Sequence, residues 1–291
     1  MAGILGTNQY GKAEVHMVTV TRDGTRHALR DLTVGIALSG DLAEVHLTGD
    51  NAHVIPTDTQ KNTVYAFAAE QPVGAIEDFA LRLGRHFVGA FPAITRARVH
   101  VAEAGWERLD EHNFRLAGGE TRVAAVVCEA EAAWVVSGLQ DLVVLKSAGS
   151  EFEGFLRDRY TTLAETRDRI LATAVTARWR HAAPEGDWDA SFAATRELLL
   201  DAFATTHSRS LQQSLYAMAD AMLSGRPELA EVRMSLPNRH HFVVDLSPFG
   251  LENDNEVFHA DDRPYGLIEA SVLAPGAPPA GPAWDPYPLV S

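Results

Sequence analysis

Histidine is the residue type most able to do chemistry in this sequence, because twelve histidines could bind a metal or transfer protons. Their spacing does not favour a metal site. There is no His-Glu-x-x-His motif, and the single cysteine, Cys128, cannot form a paired zinc site and is expected to be a buried apolar residue. His240 and His241 are adjacent, so on a strand they would point to opposite faces and could not chelate one ion. We therefore interpret the histidines as surface or strand residues.

Other motifs for cofactors and nucleophiles are also missing. Gly118-Gly119 is isolated, and no glycine-rich turn is followed by the Lys-Ser/Thr pair of a phosphate loop. The Gly-x-Ser-x-Gly motif of serine hydrolases is absent. The residue types alone therefore favour neither a nucleotide cofactor nor a serine nucleophile.

Two polar segments interrupt otherwise apolar sequence. Residues 56–63 are predicted to be a loop whose Asp and Thr side chains cap the next element. Residues 235–242 are predicted to be an edge strand protected from aggregation by its charges and its proline. Lys12 follows Gly11 at the start of a strand, where a solvated lysine is the ordinary interpretation. Composition alone gives these positions no catalytic role.

The elements that position these segments follow from hydrophobic periodicity. Residues 32–38 alternate between apolar and polar or small side chains, and Asp23-Gly24 before them is typical of a hairpin turn. Residues 45–47 are predicted to begin another short strand. Residues 75–91 have apolar side chains three and four apart and predict an amphipathic helix.

The helix–proline–strand order occurs twice, which suggests an internal duplication. Aligning Pro227 with Pro92 places a strand over residues 231–236 opposite one over residues 97–103. The predicted fold class is α+β with antiparallel sheets, rather than a βαβ repeat. Its two units span residues 1–138 and 139–291. From about residue 274 the chain is rich in Pro and Gly and is expected to form a peripheral extended arm.

Charge and hydropathy exclude several partners. The 25 Lys and Arg against 39 Asp and Glu give a formal net charge of −14, which disfavours binding to nucleic acid or to an anionic membrane. No apolar run approaches the ~20 residues of a membrane span. The N-terminal residues lack a signal-peptide pattern. We expect a soluble, intracellular protein.

The sequence resembles the urate oxidase (uricase) family in four segments, which occur in the family's order. These segments are Tyr10-Gly11-Lys12, residues 56–65, residues 152–169 and residues 236–240. Together they span most of the chain. The resemblance implies the tunnelling fold, in which two tandem units of antiparallel sheet carry helices on one face.

The resemblance also implies a reaction and an assembly. Members of the family convert urate, O2 and water to 5-hydroxyisourate and hydrogen peroxide without a metal or organic cofactor. Four identical chains stack their sheets into a barrel, and each active site lies at a subunit interface. The chain ends in Leu289-Val290-Ser291, which is not a peroxisomal address, so a cytoplasmic enzyme is expected.

By resemblance, Lys12, Thr57 and His240 would form a proton relay. Urate must lose a proton before its ring can give an electron to O2, and a threonine hydroxyl alone is too weak a base. A neighbouring lysine could accept the threonine proton, and His240 could pass protons through ordered water.

The residues that would hold urate carry over in the same way. Phe152 would stack on the purine ring, Arg169 would present its planar fork, and Gln212 would bind the opposite edge. Leu211, at a position where the family often has Val, would contribute a backbone contact.

Three further positions complete the site that the resemblance implies. Asn238 would hold water or O2 above the ring. Thr57 and Asp58 would contact urate from a neighbouring chain, Asp58 through its backbone.

Two alternatives remain open at this stage. A related enzyme of the same fold could act on pterins or other purines, although such enzymes commonly bind zinc through Cys and His. A non-catalytic assembly protein could also retain the scaffold, but it would have no need for Lys12, Thr57 and His240 together.

Overall fold

The computed structural model describes residues 3–286 and, within them, eleven strands and five α-helices. The strands are β1 Tyr10–Asp23, β2 Arg26–Gly40, β3 Ile94–Ala104, β4 Trp106–Arg108, β5 Phe114–Leu116, β6 Thr121–Glu129, β7 Ala133–Lys146, β8 Leu171–His181, β9 Leu229–Val243, β10 Phe258–Asp261 and β11 Leu267–Leu273. The helices are α1 Ala43–Leu47, α2 Thr57–Glu70, α3 Ile76–Ala90, α4 Trp188–Thr205 and α5 Leu211–Gly225. None of the helices in this part of the chain is long and apolar enough to cross a membrane.

The chain divides into two compact units, and neither is one continuous stretch. Within the described residues, unit 1 contains residues 3–138, 180–192 and 278–286. Unit 2 contains Leu139–Trp179 and Ala193–Ala277.

Unit 1 is built on the antiparallel strands β1-β2-β3-β6, in that order, and the first part of β7 lies next to β6. The predicted hairpin joins β1 to β2, and Gly24 adopts the positive φ of +55° that the turn requires. α3 packs on β3 and β6, and its buried side chains include Phe79 and Phe87. The predicted helix over residues 75–91 is confirmed. Cys128 is buried as expected, and burial raises the pKa of its thiol to about 11.

Unit 2 repeats the arrangement around β9. This strand follows Pro227, pairs antiparallel with β10 and β11, and neighbours β8. α5 packs against β9 and β11. The α+β class with antiparallel sheets is therefore confirmed. The expectation that residues 235–242 form an edge strand is wrong, because strands later in the chain pair with this segment.

Two segments of unit 1 differ from the sequence prediction. Residues 45–47 lie in α1, where the Thr48 N–H closes a helical turn on the Glu44 carbonyl at 2.9 Å. Within the loop predicted over residues 56–63, residues 57–63 instead form the first half of α2, and Pro56 is the N-cap of this helix. Asp58 favours a helix there, because an acidic side chain in the first turn interacts well with the helix dipole and this one also binds Lys61.

The C-terminal segment is not a peripheral arm where it is described. Residues 274–286 contain no strand or α-helix, as expected, but residues 278–286 pack in unit 1. The buried Arg98 guanidinium donates to the carbonyls of Pro282 at 3.0 Å and Pro286 at 2.9 Å. Ala283 is buried near Trp134. The last five residues lie outside the described part.

A buried ion pair links α3 to the sheet of unit 1. Glu77 is fully buried and accepts hydrogen bonds from Arg122 at 2.8 Å and from the Ser137 hydroxyl at 2.7 Å. The Ser137 hydroxyl also lies 2.9 Å from His181 Nε2. Burial raises the pKa of Glu77, while the positive charge of Arg122 opposes that rise. The charged form of Glu77 therefore depends on Arg122.

Arg122→Met is expected to lower the free energy of unfolding by about 3–5 kcal/mol, because it leaves a buried charge without a partner. Urea denaturation measures this loss. The loss of stability should be smaller in acid. Because the pKa of Glu77 is raised, its carboxyl group becomes neutral as the pH falls through this raised pKa, and a neutral carboxyl group does not need the charge of Arg122. Arg115→Met is the control, since Arg115 pairs with Glu107 on the surface and is expected to contribute about 1 kcal/mol or less. Equal losses in both variants would contradict a special role for the buried pair.

Candidate active site

A cavity of about 500 Å³ in unit 2 brings together four of the residues proposed from the resemblance. The four are Phe152, Arg169, Asn238 and His240. The remaining wall comes from Thr162, Leu163, Ala164, Thr166, Asp168, Ile170, His241, Phe242, Val243, Asn255 and Phe258. The cavity therefore combines an aromatic ring, a guanidinium, an amide and imidazoles.

Phe152 is held in place by the segment that carries Arg169. Its N–H donates to the Thr166 carbonyl at 2.7 Å, and the Thr166 N–H donates back at 3.0 Å. Phe155, which does not line the cavity, stacks on Phe152 with ring centroids 5.0 Å apart and planes 14° apart. The Arg169 guanidinium carbon lies 5.1 Å from the Phe152 ring centroid. This geometry suits a planar ligand that has a polar edge.

Arg169 keeps most of its hydrogen-bonding capacity for a ligand. Its Nε donates to the Ser150 hydroxyl at 3.3 Å, and its main-chain N–H donates to the Ser150 carbonyl at 3.0 Å. Neither terminal nitrogen of its guanidinium donates a hydrogen bond to any residue between 3 and 286. Burial lowers the pKa of Arg169. A partly buried guanidinium whose two terminal nitrogens make no hydrogen bond within residues 3–286 is suited to a carbonyl or an anionic ring edge.

Asn238 and His240 project from β9. The Asn238 N–H donates to the Gly266 carbonyl at 2.8 Å, which fixes this part of the strand. The ring of His240 stacks on Phe242 with centroids 5.6 Å apart. His241 also lines the cavity, which strict alternation along a strand did not predict. Within the described ranges, no three His, Cys, Asp or Glu residues are grouped to hold a metal ion.

Leu211 and Gln212 begin α5 and do not line this cavity. Ser210 caps the helix by accepting the Gln213 N–H at 3.1 Å. Leu211 is buried and Gln212 is exposed. An isolated bridge pairs Ser150 with Ser208, three residues before the helix. The start of α5 is therefore tied to the segment that supports Arg169.

Lys12, Thr57 and Asp58 belong to unit 1 and line no part of the unit 2 cavity. Lys12 lies on β1 opposite Ile36, just before a bulge where the register shifts. Glu14, in that bulge, has a φ of +54°. Bulges often redirect side chains beside functional sites.

Thr57 and Asp58 form the exposed first turn of α2. The Asp58 carboxylate accepts from Lys61 at 2.5 Å and from the Asn62 amide at 3.0 Å. Lys61 is the main cause of the lowered pKa of Asp58, and the more distant charge of Lys12 acts in the same direction. The side chain of Asp58 is occupied within its own helix, which leaves its backbone for a ligand.

The sequence predicts no role for Ser150 or for Tyr10, although Tyr10 belongs to the resemblance segment Tyr10-Gly11-Lys12. Ser150 is fully buried and supports Arg169, whereas the hydroxyl of Tyr10 accepts the Ile55 N–H at 2.8 Å. Ser150 precedes the resemblance segment that begins at Phe152. Tyr10 lies two residues before Lys12, and this spacing, which places both on one side of a strand, was the available signal.

Comparisons with known proteins identify one family. The uricase profile matches residues 8–132 and 135–269. A uricase from Arthrobacter globiformis is 52% identical over 284 residues, which cover 97% of this chain and 94% of that protein. A uricase from Danio rerio is 38% identical, covering 90% of this chain and 92% of that protein. The crystal structure of the Arthrobacter globiformis uricase aligns with a TM-score of 0.95 at 51% identity, covering 98% of this chain and 99% of that one.

Proposed function

The chain belongs to the uricase family, and from this premise we propose that the unit 2 cavity binds urate and that Lys12 and Thr57 serve its deprotonation. The chain catalyses the conversion of urate, O2 and water to 5-hydroxyisourate and hydrogen peroxide. Its fold is the tunnelling fold, as the resemblance implied. The assignment of individual residues below is the proposal.

The observation that carries this assignment is the open fork of Arg169 above the ring of Phe152. Urate is a flat heterocycle with carbonyl oxygens on its edges and a negative charge near neutral pH. Phe152 would stack on its face, and Arg169 would donate two parallel hydrogen bonds to one edge. Gln212 would bind the opposite edge with its amide, while Leu211 would offer its backbone at the start of α5.

The chemistry requires removal of a second proton from bound urate. Thr57 would relay this proton to the amine of Lys12, because an amine is a much stronger base than the threonine hydroxyl. His240 would exchange protons through ordered water on the other side, and Asn238 would hold O2 or water above the ring. The electrons come from the urate dianion itself, so this sequence of steps calls on no further redox group.

We also propose that each site is shared between two chains of a homotetramer. Thr57 and Asp58 are exposed, which suits a role in a neighbouring chain's site. β1 ends the strand order of unit 1, and such an edge is commonly covered by assembly. We further propose that the chain consists of two tandem units of the family's fold, residues 1–138 and 139–291. The two consecutive matches to the family profile support this division.

The direct test is to incubate the purified protein with urate in metal-free buffer containing a chelator. Urate absorbance should fall while hydrogen peroxide forms in a one-to-one ratio to the urate consumed. Parallel incubations with a pterin and with xanthine should show no turnover. Turnover of the pterin but not of urate, or activity that requires one added metal, would contradict the assignment.

Ser150→Ala is expected to raise the KM for urate about tenfold, because Arg169 loses one hydrogen bond that orients its charged fork. Turnover at saturation should change much less. Steady-state kinetics separate these two effects. Ser271→Ala, at an exposed position on β11, is the matched control and should leave KM unchanged. An unchanged KM in Ser150→Ala would show that Ser150 does not orient Arg169.

A further inference from the structure

The backbone of Ile55, two residues before Thr57, is held by hydrogen bonds to both its N–H and its carbonyl. Its N–H donates to the Tyr10 hydroxyl at 2.8 Å. Its carbonyl accepts from the Gln60 side-chain amide at 3.2 Å. Ile55 and Gln60 are both buried. This short segment is therefore fixed by two side chains from two different elements, β1 and α2.

Tyr10 connects this segment to the strand that carries Lys12. Pairing with β2 is continuous from Tyr10 to Lys12, and the register shifts only afterwards. The two side chains therefore project on the same side of β1. Gly11, between them, lies so close to β2 that a Cβ would come within 1.8 Å of the Ile36 carbonyl oxygen. The backbone that carries both residues is thus fixed against its neighbour.

The start of α2 lacks the usual means of fixing a helix terminus. The N-cap residue is Pro56, which makes no side-chain capping hydrogen bond. Thr57 is exposed in the first turn, where helices fray most readily. The contacts on Ile55 replace the missing cap at a point two residues away from Thr57.

We infer that Tyr10 and Gln60 are positioning residues, which clamp Ile55 so that the Thr57 hydroxyl stays within proton-transfer reach of Lys12. The inference rests on the proposed relay. Proton transfer needs a hydrogen-bond distance between donor and acceptor. A displacement of about 1 Å can reduce the rate about a hundredfold. The clamp would therefore act on turnover rather than on urate affinity, which the unit 2 cavity supplies.

Tyr10→Phe tests this inference because it removes only the hydroxyl and keeps the packed ring. We expect kcat to fall about ten- to a hundredfold, with less than about a threefold change in KM. Tyr216→Phe is the matched control, since this tyrosine of α5 is exposed and should lose no activity. A kcat in Tyr10→Phe within about twofold of the unmodified protein would overturn the inference.

Gln60→Met is the second variant, for the case that Tyr10→Phe does not fold. Methionine has a shape similar to that of glutamine, and the side-chain oxygen of Gln60, which the substitution removes, has no hydrogen-bond partner among the described residues. The variant therefore loses only the bond to the Ile55 carbonyl. The same fall in kcat at nearly constant KM is expected. Thermal denaturation and sedimentation should confirm that fold and assembly are retained in each variant.

A double-mutant cycle separates positioning from general structural damage. If Tyr10 acts through the Thr57 hydroxyl, adding Tyr10→Phe to Thr57→Ala should lower kcat no further. If instead the double variant loses kcat by the product of the two single losses, the inference is overturned. Thr57→Ala alone tests the proposed relay. Near-normal turnover in that variant would contradict both the relay and the positioning role of Tyr10 and Gln60. If Tyr10→Phe keeps a normal kcat while Thr57→Ala loses it, only the positioning role of Tyr10 is contradicted.

Discussion

Lys12→Met should lower kcat for urate about a thousandfold, the range expected for loss of a general base. Methionine fills a similar volume but cannot accept a proton from Thr57. Urate binding should persist, because Phe152 and Arg169 lie in unit 2 and are unchanged. Single-turnover kinetics with enzyme in saturating excess over urate would measure the chemical step, and equilibrium titration without O2 would measure binding.

The control for this variant is again Arg115→Met, which removes one positive charge from an exposed ion pair. It should leave kcat unchanged. A thousandfold loss in Lys12→Met together with an equal loss of urate affinity would indicate a binding role for Lys12. Near-normal turnover would eliminate Lys12 from the relay.

Mixed assemblies of two inactive variants should recover activity. Thr57→Ala and Arg169→Met would each be nearly inactive alone. If each site takes Thr57 from one chain and Arg169 from another, random mixing of equal amounts in a symmetric oligomer leaves about a quarter of the sites intact. Activity should therefore rise to about a quarter of the unmodified value, as measured after co-refolding or co-expression.

A second pair of variants serves as the control. Phe152 and Arg169 line the same cavity, so one chain supplies both. Phe152→Ala mixed with Arg169→Met should then recover no activity, although hybrids form equally well. If hybrids of Thr57→Ala and Arg169→Met form and remain inactive, the shared-site proposal fails and both residues act within one chain.

Most of the fold could be predicted because the regular spacing of apolar residues indicates which face of a strand or helix is buried. The alternation in residues 32–38 and the apolar spacing in residues 75–91 correspond to β2 and α3, two elements with one face in the core. The first half of α2 is not predictable from periodicity, because its residues are mostly polar and exposed. The sequence does not identify β9 as an inner strand, because its partners β10 and β11 come later in the chain and no local pattern indicates the pairing.

Only part of the candidate site could be predicted from the sequence. No spacing rule connects Phe152 and Arg169 with Asn238 and His240, so their meeting in one cavity follows from the resemblance and the fold rather than from a local motif. The hydroxyls of Ser150 and Tyr10 could not be identified beforehand. Each acts through a single hydrogen bond, and the hydroxyl of Tyr10 accepts from a backbone N–H, which carries no residue-type signal. Only the position of Tyr10 two residues before Lys12 hints at a link between them.

The position of residues 278–286 in unit 1 has a consequence for biosynthesis. A nascent chain that has emerged from the ribosome as far as Gly138 already contains β1, β2, β3, β6 and the start of β7, but not the segment that accepts the hydrogen bonds of Arg98. Nor can it yet cover Trp134 and Val136 with Ala283. Domains often fold as they are translated, from the N-terminus onwards. Here the first unit to be translated is among the last to be completed, which lengthens the time that its apolar surface is open to aggregation.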